Sequence, residues 1–93
     1  MGLVFEWDPR KAASSLLKHG VSFREAATAF GDPFSLAIPD PVTYCEARWI
    51  LLGASDIERL LVVVHTLRGE NVRIISARLA SPGELESYEE EGA

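Results

Sequence analysis

Arginine is seldom buried without a partner. Yet the run Val72-Arg73-Ile74-Ile75-Ser76-Ala77-Arg78 sets two arginines in an apolar, β-branched stretch that reads as a strand. Such a strand either pairs its arginines with carboxylates or aims them at an anion. The guanidinium fork matches phosphate geometry. A few arginines, with a histidine or lysine as proton carrier, suffice to break an RNA phosphodiester without a metal. The 2′-hydroxyl is then the internal nucleophile. The protein must orient it, accept one proton, donate another and stabilise the extra charge on the phosphorane. Arg48, Arg68 and Arg78 can supply that charge, and Lys18, His19 or His65 can handle the protons. The spacing permits this chemistry without selecting it.

Other chemistries find less support. Gly20, Gly31 and Gly53 are isolated, so no glycine-rich phosphate loop is present. His19 and His65 fall on different elements and no HxxH or CxxC occurs, so neither a metal site nor any other cofactor is expected. Ser76 lacks the local signature of a nucleophilic serine, and no pair of carboxylates stands out for glycoside chemistry. Cys45 is the sole cysteine, which rules out an internal disulfide and favours a small buried hydrophobe. No apolar run approaches the ~20 residues of a membrane span. No basic, apolar leader opens the chain, so the cytoplasm is the expected compartment.

The formal net charge is −5, which by itself speaks against nucleic acid. Its distribution changes the reading. Residues 1–80 hold nine Lys+Arg and nine Asp+Glu and sum to zero, while residues 81–93 hold five glutamates and no base. The excess therefore belongs to the C-terminal segment. That segment is either a solvated helix end or a docking patch for a basic partner.

These groups need elements to hold them, and 93 residues fit a single domain, 1–93. Residues 3–7 read as a strand. Asp8 caps a following helix with Pro9 at its first position, and Gly20 fits just past its end. Lys18 and His19 then occupy the last turn, where the helix dipole favours cations. Ser22 and Glu25 form a capping box for a second helix, whose stripe is Phe23, Ala26, Ala27 and Phe30. Gly31-Asp32-Pro33 ends it. Strands are expected over 34–38, 44–53, 58–67 and 72–80, with loops at 54–57 and 68–71. Ser81 to Glu84 is a second capping box, opening a short helix with Leu85 and Tyr88 as core contacts. The expected class is α+β: a small antiparallel sheet, two N-terminal helices and a short C-terminal helix.

Loops of that length put Gly53 opposite Glu58 and Leu67 opposite Val72. Strand alternation then gathers Glu46, Arg48, His65, Ser76 and Arg78 on one face. Trp49, Leu51, Leu60, Val62, Val64, Ile75, Ala77 and Leu79 form the other, a core for the helices. Arg73 lands on the apolar side near its edge, as a structural ion pair or an edge residue. The polar face is either a ligand site or an exposed surface with minor cross-strand charge pairs.

The chain also resembles a known family. Phe5-Glu6-Trp7-Asp8-Pro9, Lys11, Lys18-His19-Gly20-Val21-Ser22-Phe23, Glu25-Ala26 and Asp32-Pro33 look like the opening of the BrnT bacterial toxins. Glu46, Arg48-Trp49, Gly53, Leu61 to Thr66, Arg68, Arg73 to Arg78, Ala80, Glu84 and Tyr88 follow in register. The resemblance implies a fold related to the RelE-type ribonuclease toxins and a type II toxin–antitoxin role. The toxin would cleave RNA and arrest growth. A cognate antitoxin, usually of ribbon-helix-helix type, would neutralise it and carry the complex to operator DNA. Functional weight then falls on Lys18, His19, Arg48, Arg68, Arg78 and Tyr88. Ser15 stands where family members usually have asparagine. Leu85 replaces a usual arginine, which removes one potential phosphate contact. The competing expectation is a non-catalytic module that keeps the fold and only docks a partner.

Overall fold

In the computed structural model, which describes residues 2–41 and 47–92, the first strand β1 (Val4–Glu6) leads into helix α1 (Pro9–His19). Asp8 caps α1 by accepting from the Arg10 amide at 2.8 Å, and Pro9 fills the first turn. Gly20 ends the helix at φ 69°, a left-handed conformation that costs glycine little. Helix α2 (Phe23–Thr28) starts from Ser22, whose hydroxyl accepts from the Glu25 amide at 3.0 Å. Only half of the expected capping box forms, because the Glu25 carboxylate instead holds Arg59 and Ser55. A single 3₁₀ turn over Ala29–Gly31 then brings the chain to Asp32.

Four further elements complete the sheet: β2 (Leu36–Pro39), β3 (Arg48–Ala54), β4 (Leu60–Arg68) and β5 (Asn71–Leu79). The strand order is β1-β5-β4-β3-β2. The pairs from β2 to β5 are antiparallel, as expected, and β1 joins the β5 edge in parallel. The Glu6 carboxylate accepts from Arg73 at 2.8 Å and from Asn71 at 3.3 Å, tying that edge together. Helix α3 (Pro82–Gly92) follows β5. The α+β class is as the sequence indicates, with a mixed rather than wholly antiparallel sheet.

One face of the sheet carries the core. Leu51, Leu61, Val63, Ile74 and Ala77 pack with Val21, Phe23, Ala26 and Ala29. The Ser15 hydroxyl, buried on α1, donates to the Ala77 carbonyl at 3.1 Å and so seats the helix on β5. Gly53 is required where it stands. A Cβ there would lie 2.9 Å from the Ala29 carbonyl oxygen and 3.1 Å from the Ser35 side chain.

The expected sorting of side chains between faces needs correction, and two local features explain it. The β3–β4 connection runs over residues 55–59, with Ser55 and Arg59 paired across it and Glu58 at φ 62°. Gly53 therefore pairs with Leu61 rather than Glu58, a shift of three residues. An odd shift turns every side chain of β4 over relative to β3. In the β4–β5 hairpin the expected pairing holds from the turn as far as His65↔Ile74. A bulge between Val64 and His65 then slips it by one, giving Val64↔Ser76 and Val62↔Arg78. Leu61, Val63 and His65 consequently share the helix-covered face with Leu51. Leu60, Val62 and Val64 lie on the opposite, open face with Arg48, Ser76 and Arg78. Cys45 and Glu46 lie outside the described residues.

Candidate functional site

The open face carries its basic groups in successive rows. Arg48, Thr66, Arg73 and Glu6 line up across β3, β4, β5 and β1. The Ser76 row comes next and the Arg78 row after it. Val62 and Thr66, which mark the outer two rows on β4, are four residues apart, or about 13 Å along the strand. Arg48 and Arg78 thus share a face but not a contact point. Arg68 is exposed at the end of β4 and, with Arg73, lowers the carboxyl pKa of Glu6; the hydrogen bond from Arg73 is the larger cause. Arg73 is a structural ion pair, as anticipated, but on the open side rather than the core side.

Arg78 is held differently. Its two terminal nitrogens donate to the two Glu84 oxygens, each at 2.8 Å, and its side chain stays 45% exposed. A bidentate carboxylate occupies the fork as a phosphate would. Glu84 also accepts from the Ser81 amide at 2.8 Å, while the Ser81 hydroxyl accepts from the Glu84 amide. This second capping box is complete. The Arg78 guanidinium, with help from Ser81, holds the Glu84 carboxyl down at about 2. A depressed carboxyl stabilises the fold above its unfolded value of 4.5 and loses that contribution as pH falls towards 2. Amide protection in α3, measured against the intrinsic exchange rate at each pH, is therefore expected to fall across that window. In Glu84→Gln, which keeps the capping hydrogen bonds, this acid step should vanish.

Arg78 and Glu84 also form one rim of a cleft of ≈ 550 Å³ between the open face and α3. Its floor is apolar, made by Leu36, Ile38, Ile50, Leu52 and Val62. Across the sheet edge, a smaller depression of ≈ 180 Å³ is lined by Lys11, Ser14, Ser15, Lys18 and His19 of α1 and by Ile75 and Ser76 of β5. Ser76, which lines the smaller depression, and Arg78, which lines the cleft, are i and i+2 on one strand face, about 7 Å apart along β5. Lys18 and His19 thus share a depression with Ser76, and Arg78 lines the cleft two residues farther along the same strand.

Two predicted site residues lie elsewhere. His65 is 6% exposed, packed edge-on against Phe30 with ring centres 4.7 Å apart, and its Nδ1 lies 3.3 Å from the Val63 carbonyl. Burial pushes its pKa down. It is a core imidazole facing the helices, not a neighbour of Arg78, because the register shift turned β4 over. Tyr88 is half-buried, and its hydroxyl donates to Asp32 at 2.6 Å. That bond pushes the phenol up to about 12. Burial alone would raise the Asp32 carboxyl, but donations from Ala54, Tyr88 and Phe34 outweigh it and hold it low. Tyr88 anchors α3 to the β2 end of the fold, whereas Leu85, expected in the core, is 45% exposed. Sequence reasoning gave no role to Glu84 in holding Arg78, or to Lys11 in the depression. The signal for Lys11 is its position two helical turns before Lys18.

Among the described residues, no three His, Cys, Asp or Glu side chains are grouped to hold a metal ion. No helix is long and apolar enough to cross a membrane.

This five-stranded α+β fold is that of a solved small ribonuclease toxin. The crystal structure of the Brucella abortus ribonuclease toxin BrnT is similar, with a TM-score of 0.61 and 24% sequence identity over 87% of this chain and 97% of that one. At that identity the likeness establishes the fold. Residues 7–84 match the family model of the BrnT ribonuclease toxin of type II toxin–antitoxin systems, and the chain belongs to that family. No curated protein matches it.

Proposed function

We propose that the chain is a metal-independent endoribonuclease that arrests growth and is neutralised by a cognate antitoxin of ribbon-helix-helix type. The observation that supports this reading is that Arg78 shares a strand face with Ser76, which lines the depression containing Lys18 and His19. Family membership supports the ribonuclease class and an antitoxin partner.

On this reading Arg78 grips the scissile phosphate and stabilises the phosphorane after Glu84 has yielded the fork. Lys18 and His19 carry the protons: one group takes the 2′-hydroxyl proton as the new P–O bond forms, and the other delivers a proton to the departing 5′-oxygen. Arg48 and Arg68 bind flanking phosphates farther along the open face. His65 and Tyr88 support the scaffold. Operator DNA is reached only through the antitoxin, and the site of action is the cytoplasm.

Inducing the chain alone in a bacterial host should stop growth with loss of cellular RNA, and co-expressing the antitoxin should restore both. Normal growth with intact RNA at confirmed expression would favour the alternative, a module that docks its partner without turnover.

A further inference from the structure

Helix α1 contains Arg10, Lys11, Lys18 and His19 and no acidic residue. The two at its C-terminal end suit the helix dipole. Lys11 does not: it sits in the first turn, where the helix dipole disfavours a cation. No ion pair with a described residue offsets this, and the walls of the depression it enters contain no carboxylate. Lys11 and Lys18 lie on one helix face, two turns or about 10 Å apart. Ser14 lies between them, and Ser15 closes the floor by bonding Ala77. Two ammonium groups, a free hydroxyl and the Ser76 strand face make a concave surface without countercharge. That is the chemistry of an anion site.

Resting on the ribonuclease reading, we infer that Lys11 and the Ser14 hydroxyl form a second phosphate subsite, which holds the phosphodiester next to the one gripped by Arg78. The ligand class is single-stranded RNA, whose backbone runs from the Arg78 fork across Ser76 and along α1. The subsite positions the strand and takes no part in proton transfer. Lys11 therefore contributes to binding, while Lys18 and His19 remain with the chemistry.

The test compares Lys11→Gln with Arg24→Gln, an equal loss of charge at an exposed position on α2 outside the depression. Lys11→Gln should stay folded, since it relieves the unfavourable first-turn charge. Cleavage kinetics are measured on a single-stranded RNA oligonucleotide, and its binding in EDTA is followed by fluorescence anisotropy across a salt series. Lys11→Gln is expected to raise KM several-fold with kcat retained. It should also reduce the slope of log K against log salt by about 0.7, the loss of one single-strand contact, while Arg24→Gln moves neither. Equal effects of the two variants would overturn the subsite, as would a fall in kcat at unchanged KM. RNA binding that is unaffected while antitoxin affinity is lost would also overturn it, and would make the depression a protein-docking surface. If the wild type cuts no RNA, the ribonuclease reading fails, and the anisotropy arm still decides whether Lys11 holds a backbone phosphate.

Discussion

Arg78→Ala is expected to lower kcat for RNA cleavage by about 10²–10³-fold, the usual cost of removing one group that stabilises developing charge. The fork is positioned by the backbone of β5 and by both Glu84 oxygens, and among the described residues lining that cleft no other is a Lys, Arg or His. The fold should survive. The Arg78–Glu84 pair is partly exposed, and pairs of that kind contribute at most about 1 kcal/mol. Core packing lies on the other face of the sheet. Arg78→Lys should restore little, because an ammonium cannot present the bidentate fork. Steady-state kinetics on an oligonucleotide, paired with thermal unfolding of each variant, separates loss of catalysis from loss of structure. Retained kcat in Arg78→Ala would remove this residue from the site.

Phe23→Ala is expected to be the most damaging single change to stability, at about 3–5 kcal/mol. Phe23 is 2% exposed, meets Trp7 edge-on with ring centres 6.0 Å apart, and sits where α2 joins the sheet. A domain of this size holds only about 5–15 kcal/mol in total. The loss should therefore lower Tm by more than about 10 °C. Equilibrium unfolding in urea checks it. A cost below about 1 kcal/mol would mean that the α2–sheet seam is not the centre of the core.

The helices were legible because their ends are written in local chemistry. Asp8-Pro9, Gly20, Ser22 and the pair Ser81 and Glu84 each act within one turn, and all four serve as read. The turn-proximal half of the β4–β5 hairpin was legible for a similar reason. Gly69 takes φ 61° in a tight two-residue connection and fixes the register from Arg68↔Asn71 to His65↔Ile74. What failed depends on distant packing. The β3–β4 loop is lengthened by a tertiary network, in which Ser55 and Arg59 bind Glu25 and the Asp56 amide donates to Thr28. Nothing local to residues 54–59 announces those partners. The bulge opposite Val64 and His65 carries no glycine to mark it. Together these two features decided the face of His65, and with it the only disputed proton carrier on the sheet. The family resemblance read from short motifs, by contrast, depends on residue order rather than register, and the chain does belong to the BrnT family.

The candidate site shows the same division. The special position of Arg78 was visible in its strand, but its partner Glu84 lies six residues on, across a helix cap. The depression beside Ser76 exists only because β1 pairs with β5 in parallel and delivers α1 to that edge. Neither follows from alternation alone.

The most direct measurement is cleavage of a single-stranded RNA oligonucleotide by the purified chain in EDTA. Metal-free cleavage is expected, leaving a 2′,3′-cyclic phosphate and a 5′-hydroxyl, and Arg78→Ala should abolish it or nearly so. Activity that disappears in EDTA and returns with a divalent cation, or cutting of equal strength in the variant, would contradict this mechanism.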